Sequence, residues 1–295
     1  MGFSDGFVAL RSLLFGRYSA NWFSSFGRIP SALFDAEVRV RNTIHIGTNA
    51  GTRANWSTRL HRWFQAERPT LFPTLSYAAF EPSSWSGRVP KLGDQKLLDM
   101  FEQLNRTFGG AVGKATGNGP ESRSLYFKKT AYNWLTFCNT LPPCYDTNGD
   151  SIPHTKFGEV QFPQAASRDF HYLALNTKYQ FAFWVAVGDD FDLTRRMFTE
   201  SPLTPTKLSP ADRLFVRSTA ARLEEAMASA TSFKLNAGKR VGNYNLALCR
   251  DVTEDVDRWL LARLGFAEAW ENLELLYAQT VKTDFGLEDS DEHES

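Results

Sequence analysis

Arg28, Arg39, Arg41, Arg53, Arg59, Arg62 and Arg68 crowd one short stretch of this chain. A guanidinium neutralises a phosphate or grips the edge of a guanine through two parallel hydrogen bonds, so this density of arginine fits a polyanionic partner. The plainer reading is a solvated face of surface ion pairs. Arg59 and Arg62 stand beside aromatic residues, which favours contact. Lys128 and Lys129, with Tyr132 and Asn133, lie on what reads as an exposed aromatic strand. Lys239, Arg240, Asn243, Tyr244 and Asn245 lie in a Gly-bounded segment, GKRVGNYN, that reads as a loop. Basic and amide groups beside glycine suit close backbone approach to DNA, with Asn able to read adenine. A plain surface loop is the competing reading.

Other chemistries find less support. His45, His61, His154, His171 and His293 are scattered, without Cys or carboxylate companions at metal-ligand spacing, and His45 reads as a core residue of a strand. Cys138, Cys144 and Cys249 are an odd number with no CxxC pair, which points to neither a disulfide framework nor a zinc site. Asp189, Asp190 and Asp192 read as a loop and helix cap. The glycines from Gly109 to Gly119 lack an apolar strand before them and a helix in register after them, so a flexible loop is expected there rather than a nucleotide cradle. No catalytic residue and no metal ligand is assigned.

The chain has 295 residues, 42% hydrophobic and 22% charged, enough for a substantial core in one large or two ordinary domains. Lys+Arg and Asp+Glu are both 33, so the sum carries no argument about partners and the distribution does. Residues 1–68 hold nine arginines against Asp5, Asp35, Glu37 and Glu67, whereas residues 284–295 hold six acids and no Lys or Arg. A basic face and a solvated acidic tail are expected. The N-terminal residues lack a basic n-region, and no window approaches about 18 uninterrupted apolar residues. The expectation is a cytoplasmic chain without a membrane span.

The elements that must position these residues follow from periodicity. Asp5 to Tyr18 predicts a helix burying Phe7, Leu10, Leu14 and Phe15, and its position at the very start is expected of a chain that begins inside a domain. Asn21 to Phe26 and Glu37 to Ile46 predict strands separated by Pro30. Ser57 to Gln65 predicts a short amphipathic helix after a polar turn at Gly47 to Trp56. Lys96 to Phe108 predicts a helix, Leu125 to Phe137 a strand pair, and His171 to Val187 a buried helix. Helices are also expected over Ala211 to Ala230, Val252 to Leu264 and Ala267 to Thr280, the last two separated by Gly265.

Three runs in this order, SDGFVALRSLLFGRYSANWFSSF, RIPSALFDAEVRVRNTIHIG and STRLHRWFQAERPTLFPTLSYA, resemble the part of adenine-N6 DNA methyltransferases that follows their catalytic tetrapeptide. The closest likeness is to restriction-modification types in which methylase and target-recognition parts share one polypeptide. His61-Arg62-Trp63 and Glu67-Arg68 match the pattern, and the likeness continues through YFKKTAYNWLTF and LALNTKYQFAFWVAVGDDFDLT. Order and spacing carry it more than any one motif.

The resemblance implies a mixed α/β fold. Residues 1–55 would be the last helix and strands of a methyltransferase sheet, 56–283 an α+β target-recognition domain, and 284–295 a disordered acidic tail. It implies double-stranded DNA as partner and Phe34 as the aromatic that stacks on a flipped adenine. It also implies S-adenosylmethionine as donor in the completed enzyme. The Asn/Asp-Pro-Pro-aromatic tetrapeptide and the donor loop are not found in the sequence. Leu141-Pro142-Pro143-Cys144-Tyr145 puts Leu where the amide or carboxylate belongs and reads as a Pro-rich turn. A catalytic methyltransferase chain, separate or upstream, is therefore expected as a second partner, with this chain inactive alone. A stand-alone DNA-binding specificity subunit and a non-catalytic protein-interaction module are the alternatives.

Overall fold

The computed structural model describes residues 4–34, 40–205 and 208–281. The chain is mixed α/β. After a 3-10 turn at Asp5–Phe7 come α1 (Val8–Arg17), β1 (Ala20–Phe26), β2 (Asn42–Thr48), β3 (Ala54–His61) and β4 (Tyr77–Ala79). These strands form one sheet in the order β2-β1-β3-β4, with β1 antiparallel to β2 and parallel to β3. β1 is paired on both edges and covered on both faces, which is why Phe23 and Phe26 are fully buried.

Next come α2 (Gln95–Phe108), α3 (Ala111–Ala115), β5 (Ser124–Lys128), β6 (Phe137–Cys138), β7 (Cys144–Tyr145), β8 (Phe157–Gln161), α4 (Ala165–Ala174), α5 (Lys178–Val187) and α6 (Arg195–Thr199). The last are α7 (Pro210–Ser229), β9 (Thr231–Asn236), β10 (Lys239–Tyr244), α8 (Arg250–Leu264) and α9 (Trp270–Thr280). Two small sheets, β6-β5-β8 and β7-β10-β9, flank the helices. One apolar core runs from Phe23 to Tyr277, and β3 crosses residues 55 and 56 while pairing with β1.

At its centre lies α5, every residue of which is buried, as a helix apolar around its whole circumference must be. Thr177 caps it by accepting from Gln180 N at 3.2 Å, and two further N-terminal amides are met from a distance. Asp257 on α8 accepts from Lys178 N and Tyr179 N at 3.0 and 3.2 Å. Burial pushes the Asp257 carboxyl up to about 7, with these hydrogen bonds and Lys178 opposing. Local signals set other ends. Asp94 caps α2 by accepting from Leu97 N at 2.9 Å, Ser209 and Asp212 form a capping box on α7 with Pro210 next, and α8 stops at left-handed Gly265.

Several expectations are corrected. The helix predicted over Ser57 to Gln65 is strand through His61, because Trp56, Thr58 and Leu60 alternate beside an open edge of β1 that a strand satisfies and a helix does not. α1 forms, but turned from its expected face. Arg11, Leu14 and Phe15 point inward, with Arg11 Nε on Gly87 O at 2.7 Å and Phe15 edge-on to Phe23, while Phe7, Leu10 and Leu13 are exposed. The single helix expected over His171 to Val187 is two, parted at Leu175 to Thr177, where the Asn176 side chain bridges to the backbone of Phe137. β2 begins at Asn42, and the Glu37 to Arg39 part of the predicted strand lies outside the described residues. The expected loop at GKRVGNYN is strand β10 of a hairpin, and α3 interrupts the Gly-rich loop. No helix among the described residues is long and apolar enough to cross a membrane.

Candidate nucleic-acid interface

The loop leaving β1 carries Arg28, a cis Ile29–Pro30 bond and Phe34. It is pinned to the segment after β3. Ser31 N donates to Trp63 O at 3.1 Å and Arg68 Nη2 to Leu33 O at 3.1 Å. Leu33 is buried with Phe26, Trp63 and Leu71. Its neighbour Phe34 is left 56% exposed, so the ring is not core but is presented to solvent from an anchored backbone.

Arg28, at the start of the same loop, lines a cleft of about 650 Å³. Arg28, Arg41 and Thr43 line one side, and Asp189, Arg196 and Glu200 line another. Most of its charges are already matched: Arg41 pairs with Asp189 at 3.1 Å, and Arg196 with Asp5 and Glu200. Arg28 differs. Its guanidinium lies 4.3 Å from the centre of the Phe191 ring, and its buried Nε has no hydrogen-bond partner among the described residues.

Arg62, expected to touch DNA, is instead enclosed. Its side chain is 0% exposed, with Nε 2.7 Å from Asp190 Oδ1 and Nη2 2.9 Å from Asp190 O. Tyr132 packs 4.1 Å from the guanidinium and Asn133 Oδ1 accepts from it at 3.3 Å, so these two brace Arg62 rather than presenting themselves on an open strand. Burial pushes the Asp190 carboxyl above the usual range, with Arg62 opposing. The backbone here is tight. Asp190 is left-handed at φ 79, and a Cβ on Gly27 would sit 2.9 Å from Asp190 Oδ2, so glycine is required where β1 ends.

Lys91 adjoins this network. Its Nζ is buried and donates to Ala186 O and Gly188 O at 2.9 Å each. Burial brings Lys91 down to about 7, with Asp190 opposing. A folded pKa below the unfolded 10.5 means that the unfolded chain binds the extra proton between those values, so stability rises with pH from about 7 towards 10. Thermal unfolding at stepped pH is expected to show wild type gaining on Lys91→Met across that window. Parallel curves would exclude this titration.

The remaining candidates divide. Arg59 is half-buried, its Nη1 on Leu60 O and Gln279 O at 3.3 Å, which ties β3 to α9 and removes it as a contact. Tyr244 donates to Thr140 O at 3.0 Å, Asn245 caps the following 3-10 turn, and Asn243 donates to Val241 O at 3.3 Å, so all three serve the base of the hairpin. Arg53 and Arg68 are exposed while holding backbone carbonyls. Lys128 is half-buried at the end of β5, whereas Lys129, Lys239 and Arg240 are exposed. Arg39 lies outside the described residues.

Residues not singled out from the sequence include Lys91 and Phe191, for which no local pattern exists; of the aspartates expected to form a loop, Asp189 holds the turn by accepting from Phe191 N and Asp192 N, while Asp190 pairs with Arg62. The glycines do not fit S-adenosylmethionine. Gly109 to Gly119 lead on from a helix, and the missing Cβ of Gly119 lies 2.5 Å from Phe162 O, so that glycine serves chain packing. Leu141 to Tyr145 enters β7, with Pro143 O accepting from Gly242 N at 2.9 Å. No family model, curated protein or solved structure matches the chain.

Proposed function

We propose that this chain is the DNA-recognition portion of a site-specific adenine-N6 DNA methyltransferase of a restriction-modification or phage-defence system. S-adenosylmethionine and the catalytic tetrapeptide belong, in this reading, to another stretch of polypeptide, and the chain alone does not turn over. The observation that carries the reading is Phe34: an exposed aromatic on a loop whose backbone is pinned at Ser31 and Leu33, the same loop that carries Arg28. A base drawn out of a duplex loses its stacking, and an aromatic wall restores about 1–3 kcal/mol of it. Arg28 supports the same role, since a guanidinium held on Phe191 is oriented before a phosphate arrives.

The test uses the intact chain and duplexes with a randomised centre, from which bound sequences are selected. With 2-aminopurine replacing each adenine of the selected site in turn, one position is expected to brighten on binding, and Phe34→Ala to weaken that signal by about 5- to 100-fold in the flipping equilibrium. Arg28→Ala is expected to lower the slope of log affinity against log salt by about 1. Binding without brightening at any adenine favours a DNA-binding specificity subunit. No binding at low salt sinks both and leaves the protein-interaction module.

A further inference from the structure

The hairpin of β9 and β10 is built unlike the rest of the molecule. Residues 232–240 are all exposed, an arrangement with no core of its own, yet they form a paired ribbon from Thr231↔Tyr244 to Asn236↔Lys239. The turn is made by Ala237 and Gly238 at φ 48 and 79, the two left-handed residues that match the twist of a two-residue hairpin. Its base is fixed to β7, where the missing Cβ of Gly242 lies 2.3 Å from Pro143 O and lets the strands approach.

Register puts Phe233, Leu235 and Arg240 on one face, since Leu235 pairs with Arg240 and Phe233 with Gly242. Phe233 and Leu235 are 40% and 74% exposed. The Arg240 guanidinium lies 4.9 Å from the Phe233 ring and 5.8 Å from that of Tyr145, across the ribbon. Lys234 and Lys239 are on the other face, and no Asp or Glu occurs between Thr231 and Arg250. The nearest acids in the same small sheet, Asp146 and Asp150, belong to a turn closed on itself, with Asp146 Oδ1 accepting from Asn148 N and Asp150 N.

We propose that this hairpin is a wing that lies in the major groove of double-stranded DNA. The inference rests on the DNA-recognition reading and adds a second contact surface to it. Strands lie about 4.8 Å apart, so a two-stranded ribbon with its side chains fits a groove about 12 Å wide. Leu235 and Phe233 meet thymine methyl groups and Arg240, stiffened between two rings, faces a guanine edge. Lys239 reaches a flanking phosphate. Cations without acids on the ribbon argue for this polyanion over a protein surface, which an apolar patch alone would fit equally well.

The experiment measures binding of the full chain to the selected duplex by fluorescence anisotropy from 50 to 200 mM salt. Two variants are compared with wild type, Lys239→Gln/Arg240→Gln and Phe233→Ser/Leu235→Ser, with melting temperatures to show that each folds. The first is expected to lower the salt slope by about 1 through Lys239 and to cut affinity for the selected site through Arg240, the second to cut that affinity by about tenfold while leaving the slope unchanged. Uracil in place of thymine in the site should mimic the second variant on wild type. Wild-type binding with both variants unchanged overturns the wing and leaves the DNA reading standing. Unchanged DNA binding with lost association to a methyltransferase chain also overturns it, in favour of a protein contact. No wild-type binding at 50 mM salt overturns both.

Discussion

Arg62→Ala is expected to lower the free energy of unfolding by about 3–5 kcal/mol, enough to unfold a marginal domain. The side chain is fully enclosed, and its removal would leave the buried Asp190 carboxyl without its hydrogen-bonded partner, with Oδ2 already lacking a hydrogen-bond partner. Asp190→Ala is expected to cost a similar amount for the mirror reason. The instructive variant is the pair Arg62→Met/Asp190→Leu. A buried ion pair recovers in attraction little more than it loses in desolvation, so replacing both charges by apolar groups should cost far less than either single change. Urea unfolding of wild type, Arg62→Met, Asp190→Leu and the double variant gives the coupling directly. If the double variant is as unstable as the sum of the singles, the pair is not a unit and the enclosed geometry has been misread. Because Arg62 braces the turn that carries Phe191, and Phe191 seats Arg28, the single variants should also lose DNA affinity through misplacement rather than through a lost contact.

The second large effect is on pH. Asp257 has its folded pKa raised to about 7 from an ordinary 3.8, so the folded chain holds a proton that the unfolded chain has released. Stability from this group is fully present below about 4 and is lost as pH rises to about 7, by up to about 4 kcal/mol. Asp257→Asn carries no charge and keeps one oxygen, which replaces only one of the two carboxylate oxygens that accept from Lys178 N and Tyr179 N and turns an NH2 towards the other amide. The variant is therefore expected to fall below wild type in melting temperature near pH 4 and to gain on it as pH rises to 8, whereas Asp257→Ala, with no acceptor at all, should be less stable than Asp257→Asn at every pH by about 1–3 kcal/mol. The comparison must be between variants, because His171, brought down to about 4 by burial, contributes with the opposite slope between about 4 and 6.5. Equal pH profiles for wild type and Asp257→Asn would exclude the linkage.

Helices with local punctuation were legible in the sequence. Asp94 before a 3.6-residue apolar period, Ser209-Pro210 with Asp212, and Gly265 after Leu264 announce their ends through neighbours a few residues away, and α2, α7 and α8 begin and end within one or two residues of expectation. α5 needs more than punctuation: Thr177 caps it locally by accepting from Gln180 N at 3.2 Å, while an aspartate 79 residues along the chain accepts from Lys178 N. Strands fared worse. A segment such as Ser57 to His61 is compatible with either state by period, and only the open edge of β1 decides.

The same division governs the candidate interface. Sequence by itself determined that cations gather in the first 68 residues, that Phe34 stands in an Arg-rich stretch after a proline, and that Lys239 and Arg240 adjoin glycines. It could not separate one arginine from another, since each has the same charge and reach. Tertiary structure made the difference. Arg62 meets an aspartate 128 residues away and is enclosed, Arg59 meets a carbonyl 220 residues away, and Arg28 rests on a ring, its Nε without a hydrogen-bond partner among the described residues. A guanidinium becomes a brace where burial supplies a fixed acceptor and stays available where it does not, and that depends on which distant segment the fold brings beside it.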